Sequence, residues 1–209
     1  MERSDKFGIV PMDFATLISL YGEYRSPKDK IDRLEKSGKL IRIKRGLYVS
    51  GSNEFNIPVS LELIANHIYF PSYVSFETAL SYHGIIPERT YTTRSATVKR
   101  SRKFETPLGR FEYISVEEVL FPAGVMSVRT PGNISFMIAG PEKALCDTMI
   151  VRKGLRLQSL KSVKVFLEQD LRADISLLLN FNKAIISHCA EKSTRRRTEL
   201  NLLLKYLEQ

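Results

Sequence analysis

Residues 26–50, SPKDKIDRLEKSGKLIRIKRGLYVS, constrain the fold more than any other stretch, because the hydrophobic period changes within them from helical to alternating. Ser26 is placed to cap a helix, Pro27 suits the first helical position, and Asp29, three residues after the cap, completes a capping box. Gly38 ends the run, since glycine enters the left-handed conformation without a Cβ clash. Ile31 and Leu34 make one apolar stripe, while Arg25, Asp29, Asp32, Arg33 and Lys36 project to the other side. Alternation then sets Ile41 and Ile43 on one face and Arg42 on the other, before a turn at Lys44, Arg45 and Gly46 and a return strand over 47–49. A ribbon this short is marginal alone and needs a helix to lean on.

The sequence supplies one just upstream. In PMDFATLISLYG, residues 11–22, Asp13 is a cap, Phe14, Leu17, Ile18 and Tyr21 recur at helical spacing, and Gly22 is the stop. Helix, short turn, second helix and basic hairpin together predict a winged helix-turn-helix, a shape suited to reading duplex DNA. The second helix can enter the major groove end first, with Arg25, Ser26 and Lys28 on phosphate and Arg33 and Lys36 reaching base edges or backbone. Lys44 and Arg45 at the wing tip, with Arg42 on its outer face, would lie along the adjacent backbone or minor groove. Two plainer readings compete: winged helices also dock proteins, and basic residues on a short helix often form a solvated face.

The 209 residues divide by this reading into a DNA-binding module over 1–51 and a larger α+β domain over 58–209, with the turn-rich GSNEFNIPV, residues 51–59, between them. Lys and Arg outnumber Asp and Glu 32 to 23, a formal charge of +9 that favours polyanionic partners without naming one. No run approaches the roughly 20 apolar residues of a membrane span, and the N-terminus lacks a secretory apolar core, so the expected compartment is the cytoplasm with no membrane partner. Cys146 and Cys189 have no CxxC spacing and read as reduced packing residues.

Downstream, SLELIANHIYF and SFETALSYHG read as short packed helices, and residues 89–116 turn strand-like, with further strands at MSVRT and ISFMIAG. The links between these strands are too short for parallel connections, which predicts an antiparallel or mixed sheet. PEKALCDTMIVRKG opens a helix, and the remainder is helical: LQSLKSVKVFLEQ, ADISLLLNFNKAIISHCAEK and TRRRTELNLLLKYLEQ. In the strand region Lys99, Arg100, Arg102 and Lys103 either extend the electrostatic track for DNA or form a solvated loop at the sheet edge. The Arg195 to Arg197 triplet is a weaker signal of the same kind.

Catalytic patterns are lacking. His67, His83 and His188 fall in no HExxH, no GxSxG elbow exists, and neither GxxxxGK[ST] nor GxGxxG supplies a phosphate cradle, so no catalytic residue, metal or cofactor is expected. His83 reads as a helix-end residue. Glu142, Lys143 and Asp147 invite a nuclease hypothesis, but such a site needs carboxylates converging from separate elements, and these fit capping and pairing on one helix.

Three segments in order, DRLEKSGKLIRIKRGLYVS, YVSFETALSYHGIIPE and GPEKALCDTM, resemble the AbiEi family, the antitoxins of type IV AbiE abortive-infection toxin–antitoxin systems. The resemblance covers about the first three quarters of the chain. It implies a two-domain, non-enzymatic protein of phage defence whose winged helix represses its own operon at promoter inverted repeats. The C-terminal domain would assist cooperative binding and oppose a toxin of nucleotidyltransferase fold, without needing a stable complex. A single winged helix covers only a short half-site, so discrimination calls for two copies side by side on DNA. The alternatives are a winged-helix transcription factor with a ligand-sensing C-terminal domain, and a DNA-targeted nuclease.

Overall fold

The computed structural model describes residues 9–51, 59–129 and 133–209; most of the expected 51–59 connection lies outside them. The protein is α+β, with two sheets and a helical C-terminal part. Strand β1 (Met12–Asp13) leads directly into α1 (Phe14–Leu20), followed by α2 (Pro27–Lys36), β2 (Leu40–Lys44) and β3 (Leu47–Ser50). The three strands form an antiparallel sheet in the order β1-β3-β2.

The local signals mostly act as expected. The Asp13 carboxylate accepts from the Thr16 amide at 2.7 Å and starts α1. Pro27 opens α2, Ile31 and Leu34 are buried, and Gly38 takes φ 73° just past the helix end. Ser26 departs from the expectation: it holds the N-cap position, but its side chain makes no capping bond and the box with Asp29 does not form. Its ψ is 88°, against 165° at the Asp13 cap, which turns the hydroxyl off the line of the first-turn amides. Gly22 is also not a left-handed stop; α1 is capped one residue earlier, at Tyr21.

The larger sheet has six strands in the order β6-β7-β5-β4-β9-β8. The chain reaches it through α3 (Leu61–Ile68), β4 (Ser72–Val74) and α4 (Phe76–Tyr82), then β5 (Thr92–Thr97), β6 (Arg102–Thr106) and β7 (Gly109–Ser115). A 3-10 turn, Glu118–Leu120, precedes β8 (Val125–Arg129) and β9 (Ser135–Ala139). The sheet is mixed, because β5 runs parallel to β7 and β4 parallel to β9. Short links excluded parallel pairing only between successive strands; here each parallel pair brackets other elements, which supply the length.

Helix α5 (Pro141–Val151) packs against α4 and β9, α6 (Leu160–Val165) continues into a π-helical turn, Phe166–Asp170, and α7 (Ile175–Leu178), α8 (Lys183–Lys192) and α9 (Arg197–Leu207) complete the chain. Residues 173–192, expected as one helical stretch, split in two where Asn182 caps α8 by accepting from the Ala184 amide at 3.1 Å. The Asn182 amide in turn donates to Glu142 Oε1 at 2.8 Å, which ties α8 to the start of α5. His83 ends α4, as expected, with Nε2 2.8 Å from the Ala139 carbonyl oxygen.

An ion pair sits inside the core. Lys143 Nζ donates to Asp147 Oδ1 at 2.5 Å, one helical turn on, and both side chains are shut off from solvent. Tyr73 and Ser75 donate to Asp147 Oδ2 at 3.0 and 2.7 Å, so the carboxylate is satisfied from β4 and the turn after it. Burial, with the carboxylate alongside, pushes the Tyr73 hydroxyl well above the ordinary tyrosine range. Lys143 and Asp147 therefore act as the paired residues the sequence indicated. Removing one partner strands the other charge, so Asp147→Ala should lower the unfolding free energy by about 3 to 5 kcal/mol, whereas the joint replacement Lys143→Met with Asp147→Leu should cost less. Urea unfolding of the two variants measures the difference.

Candidate nucleic-acid interface

Six cations and three carboxylates lie between residues 25 and 39, and the apolar stripe of α2 decides where they point. Ile31 and Leu34 pack with Leu17, Tyr21, Leu40 and Tyr48, which leaves Lys28, Arg33 and Lys36 exposed. Arg25, just before the helix, is exposed as well. Among the described residues Arg25, Lys28 and Lys36 have no acidic partner, and Arg33 donates Nε to the Asp29 carbonyl oxygen of its own helix at 3.2 Å. Because Ser26 does not cap, the first-turn amides of α2 keep no side-chain acceptor at the end where the helix dipole is positive. Among the described residues, the elements packed most closely on α2 are α1 and β2, both of the small unit.

On the flank of α2 an open depression of about 280 Å³ is lined by Lys30, Arg33, Leu34, Ser37 and Lys39. Lys30 lies over the rings of Tyr21 and Tyr24, at 5.7 and 5.3 Å from their centroids, which fixes its stem against α1. Lys30 and Lys39 were not singled out in the sequence, although Lys39 follows the Gly38 stop directly, where a basic side chain is free of the helix face.

The hairpin separates the three cations expected to act together. Arg45 is exposed at the two-residue turn, where Gly46 takes φ 79°. Arg42 stays on the outer face but pairs with Glu35 at 2.7 Å and lies 5.5 Å from the Tyr48 ring centroid. Lys44 turns the other way: its Nζ donates to the Ile68 carbonyl oxygen at 2.5 Å and sits over the Phe104 ring of β6. A bulge between Arg42 and Lys44 adds one residue to β2, and the extra residue shifts Lys44 to the inner face. It is a bracket between hairpin and sheet rather than a tip residue.

That bracket brings the second basic segment beside the first. Burial, followed by the charges of Arg102 and Lys99, holds the Lys44 ammonium below its ordinary range, and Lys44 and Arg102 both lie against the Phe104 ring. Lys99 is anchored by donating to the Phe70 carbonyl oxygen at 2.5 Å, and Arg102 lies 5.1 Å from the Phe104 ring centroid. Arg100 is exposed between them, and Lys103 points to the far side of β6, where it pairs with Glu112 at 3.0 Å. The structure therefore groups Lys44, Lys99, Arg100 and Arg102 near the hairpin and withdraws Lys103.

Among the described residues no cluster of three or more His, Cys, Asp or Glu is placed to hold a metal, and no helix is long and apolar enough to cross a membrane. A scan against protein-family models finds no match for the chain, and a search of curated proteins finds none. The contrast between neighbouring cations is testable by thermal unfolding. Lys44→Ala removes a hydrogen bond and stem packing and should cost about 1 kcal/mol. Arg45→Ala, at an exposed turn, should stay within about 0.5 kcal/mol of the parent.

Proposed function

We propose that the protein is a sequence-specific duplex-DNA-binding repressor whose N-terminal unit is a winged helix-turn-helix. The carrying observation is the outer side of α2: Arg25, Lys28, Arg33 and Lys36 stand exposed there, and among the described residues the helix packs chiefly on α1 and β2 of its own unit. The order of two helices followed by the β2–β3 hairpin, in a small sheet β1-β3-β2, is that of a winged helix and supports the reading. The cations grouped next to the hairpin add to it. Lys99, Arg100 and Arg102 are exposed there and offer cations for a phosphate backbone to follow.

In this reading α2 lies in the major groove, with Arg33 and Lys36 on base edges and Arg25 and Lys28 on flanking phosphates. Arg45 and the loop carrying Lys99 and Arg100 follow the adjacent backbone. The resemblance to AbiEi antitoxins extends the proposal to biology: the target is the promoter of the protein's own operon, the operon encodes a nucleotidyltransferase-fold toxin, and two copies bind cooperatively at inverted repeats in the cytoplasm. The larger domain would carry the opposition to the toxin, without catalysis of its own.

The two kinds of contact separate in a gel-shift titration against DNA upstream of the gene. Arg33→Ala or Lys36→Ala should weaken specific binding by about 1 to 3 kcal/mol where the side chain makes a bidentate base contact, leaving random duplex nearly unaffected. Arg45→Ala should lower affinity for both duplexes alike and flatten the dependence on salt by about one ion. Unchanged promoter affinity in the combined variant would refute the proposal.

A further inference from the structure

A second basic concavity lies in the helical half, between the end of α5 and α6. Arg152, Lys153 and Arg156 leave α5 on one loop, and Lys161 faces them from the first turn of α6; together they line an open cleft of about 590 Å³. Its one acidic lining residue is Asp170, 3.6 Å from Arg152, and Arg152 also stacks 5.2 Å from the Phe166 ring centroid. Lys153, Arg156 and Lys161 are exposed and have no ion-pair partner among the described residues. A further concavity of about 410 Å³ shares Arg152 and Lys153, so these two cations stand between two hollows.

The loop is built to hold them there. Leu155 and Leu157 are buried, which turns Arg156 outward between them, and Gly154 takes φ 73° to make the bend. Beneath the loop Arg196, itself at φ 58°, donates Nη2 to the Arg152 carbonyl oxygen at 2.9 Å and Nη1 to the Leu155 carbonyl oxygen, with Glu199 3.1 Å from the same guanidinium. A loop clamped at two carbonyls cannot swing its cations apart to relieve their repulsion. Fixed, unneutralised positive charge around a concave space is an anion site, and guanidinium forks with point-like ammoniums suit phosphate oxygens. The volume is that of a small-molecule site, and four cations against one carboxylate require more than one negative charge.

We propose that this cleft binds a small ligand carrying two or more phosphate groups. The site shares no residue with the α2 surface and stands independently of the DNA-binding reading. Isothermal titration calorimetry of the full chain with inorganic tripolyphosphate and with ATP, at ~0.15 M ionic strength, tests it. One saturable site is expected, weakened about tenfold or more by Arg156→Ala with Lys161→Ala, and unchanged by Arg33→Ala with Lys36→Ala. Equal affinities would mean that the phosphates alone are recognised; tighter ATP would mean that the nucleoside is held too. Absence of saturable binding overturns the proposal, as does binding indifferent to the cleft variant. Loss of duplex-DNA affinity alone in that variant also overturns it, by assigning the cleft to nucleic acid.

Discussion

The β2–β3 hairpin is buried on both sides, and the arrangement of the molecule follows from that. Leu40 and Tyr48 face the two small helices, where Leu17, Tyr21, Ile31 and Leu34 meet them. Ile43, Leu47 and Val49 face the opposite way and belong to the core of the larger sheet and its helices. Burying each such side chain contributes about 1.5 to 3 kcal/mol, so neither face is expendable for a ribbon of nine residues and two turns of neighbouring helix. The Phe14 amide, donating to the Gly46 carbonyl oxygen at 3.0 Å, fastens the turn to the start of α1 as well. The hairpin is thus a shared wall between a small unit and a large one.

Sharing that wall fixes where charge can go. With both faces committed to apolar contact, the only cation at the turn left clear is Arg45, and Lys44 is drawn into the joint. The joint in turn sets β6 beside the hairpin, which is how Lys99 and Arg102, more than fifty residues away in the chain, come to lie near Lys44. The small unit and the larger sheet are therefore joined through one packed wall rather than through a tether. Rigidity of this sort lowers the ordering cost of binding.

Much of the N-terminal unit was legible in the sequence, because its signals are local: the Asp13 cap, Pro27, the Ile31 and Leu34 stripe, and the left-handed glycines 38 and 46. The sign of Lys44 was not, since a one-residue bulge reverses alternation and leaves no trace in composition. Neither was the second face of the hairpin, because Ile41 and Ile43 read equally well as packing on an upstream helix. A mixed sheet was expected, but not which strands run parallel: β4 has three residues, too few for a period, and its parallel partner β9 comes from a distant segment. Arg196 looked like one of a solvated triplet and proves to clamp a loop some forty residues upstream, a role set entirely by tertiary contact. The Lys143 and Asp147 pair was visible at i, i+4 spacing, but its complete burial was not.

The central claim is that the outer side of α2 is the surface that meets DNA. Lysine acetylation footprinting, read by mass spectrometry with and without the promoter duplex, addresses it residue by residue. The account predicts that duplex protects Lys28 and Lys36 while Lys192 and Lys205, on α8 and α9, react as in the free protein. Full reactivity of Lys28 and Lys36 in the saturated complex would contradict it.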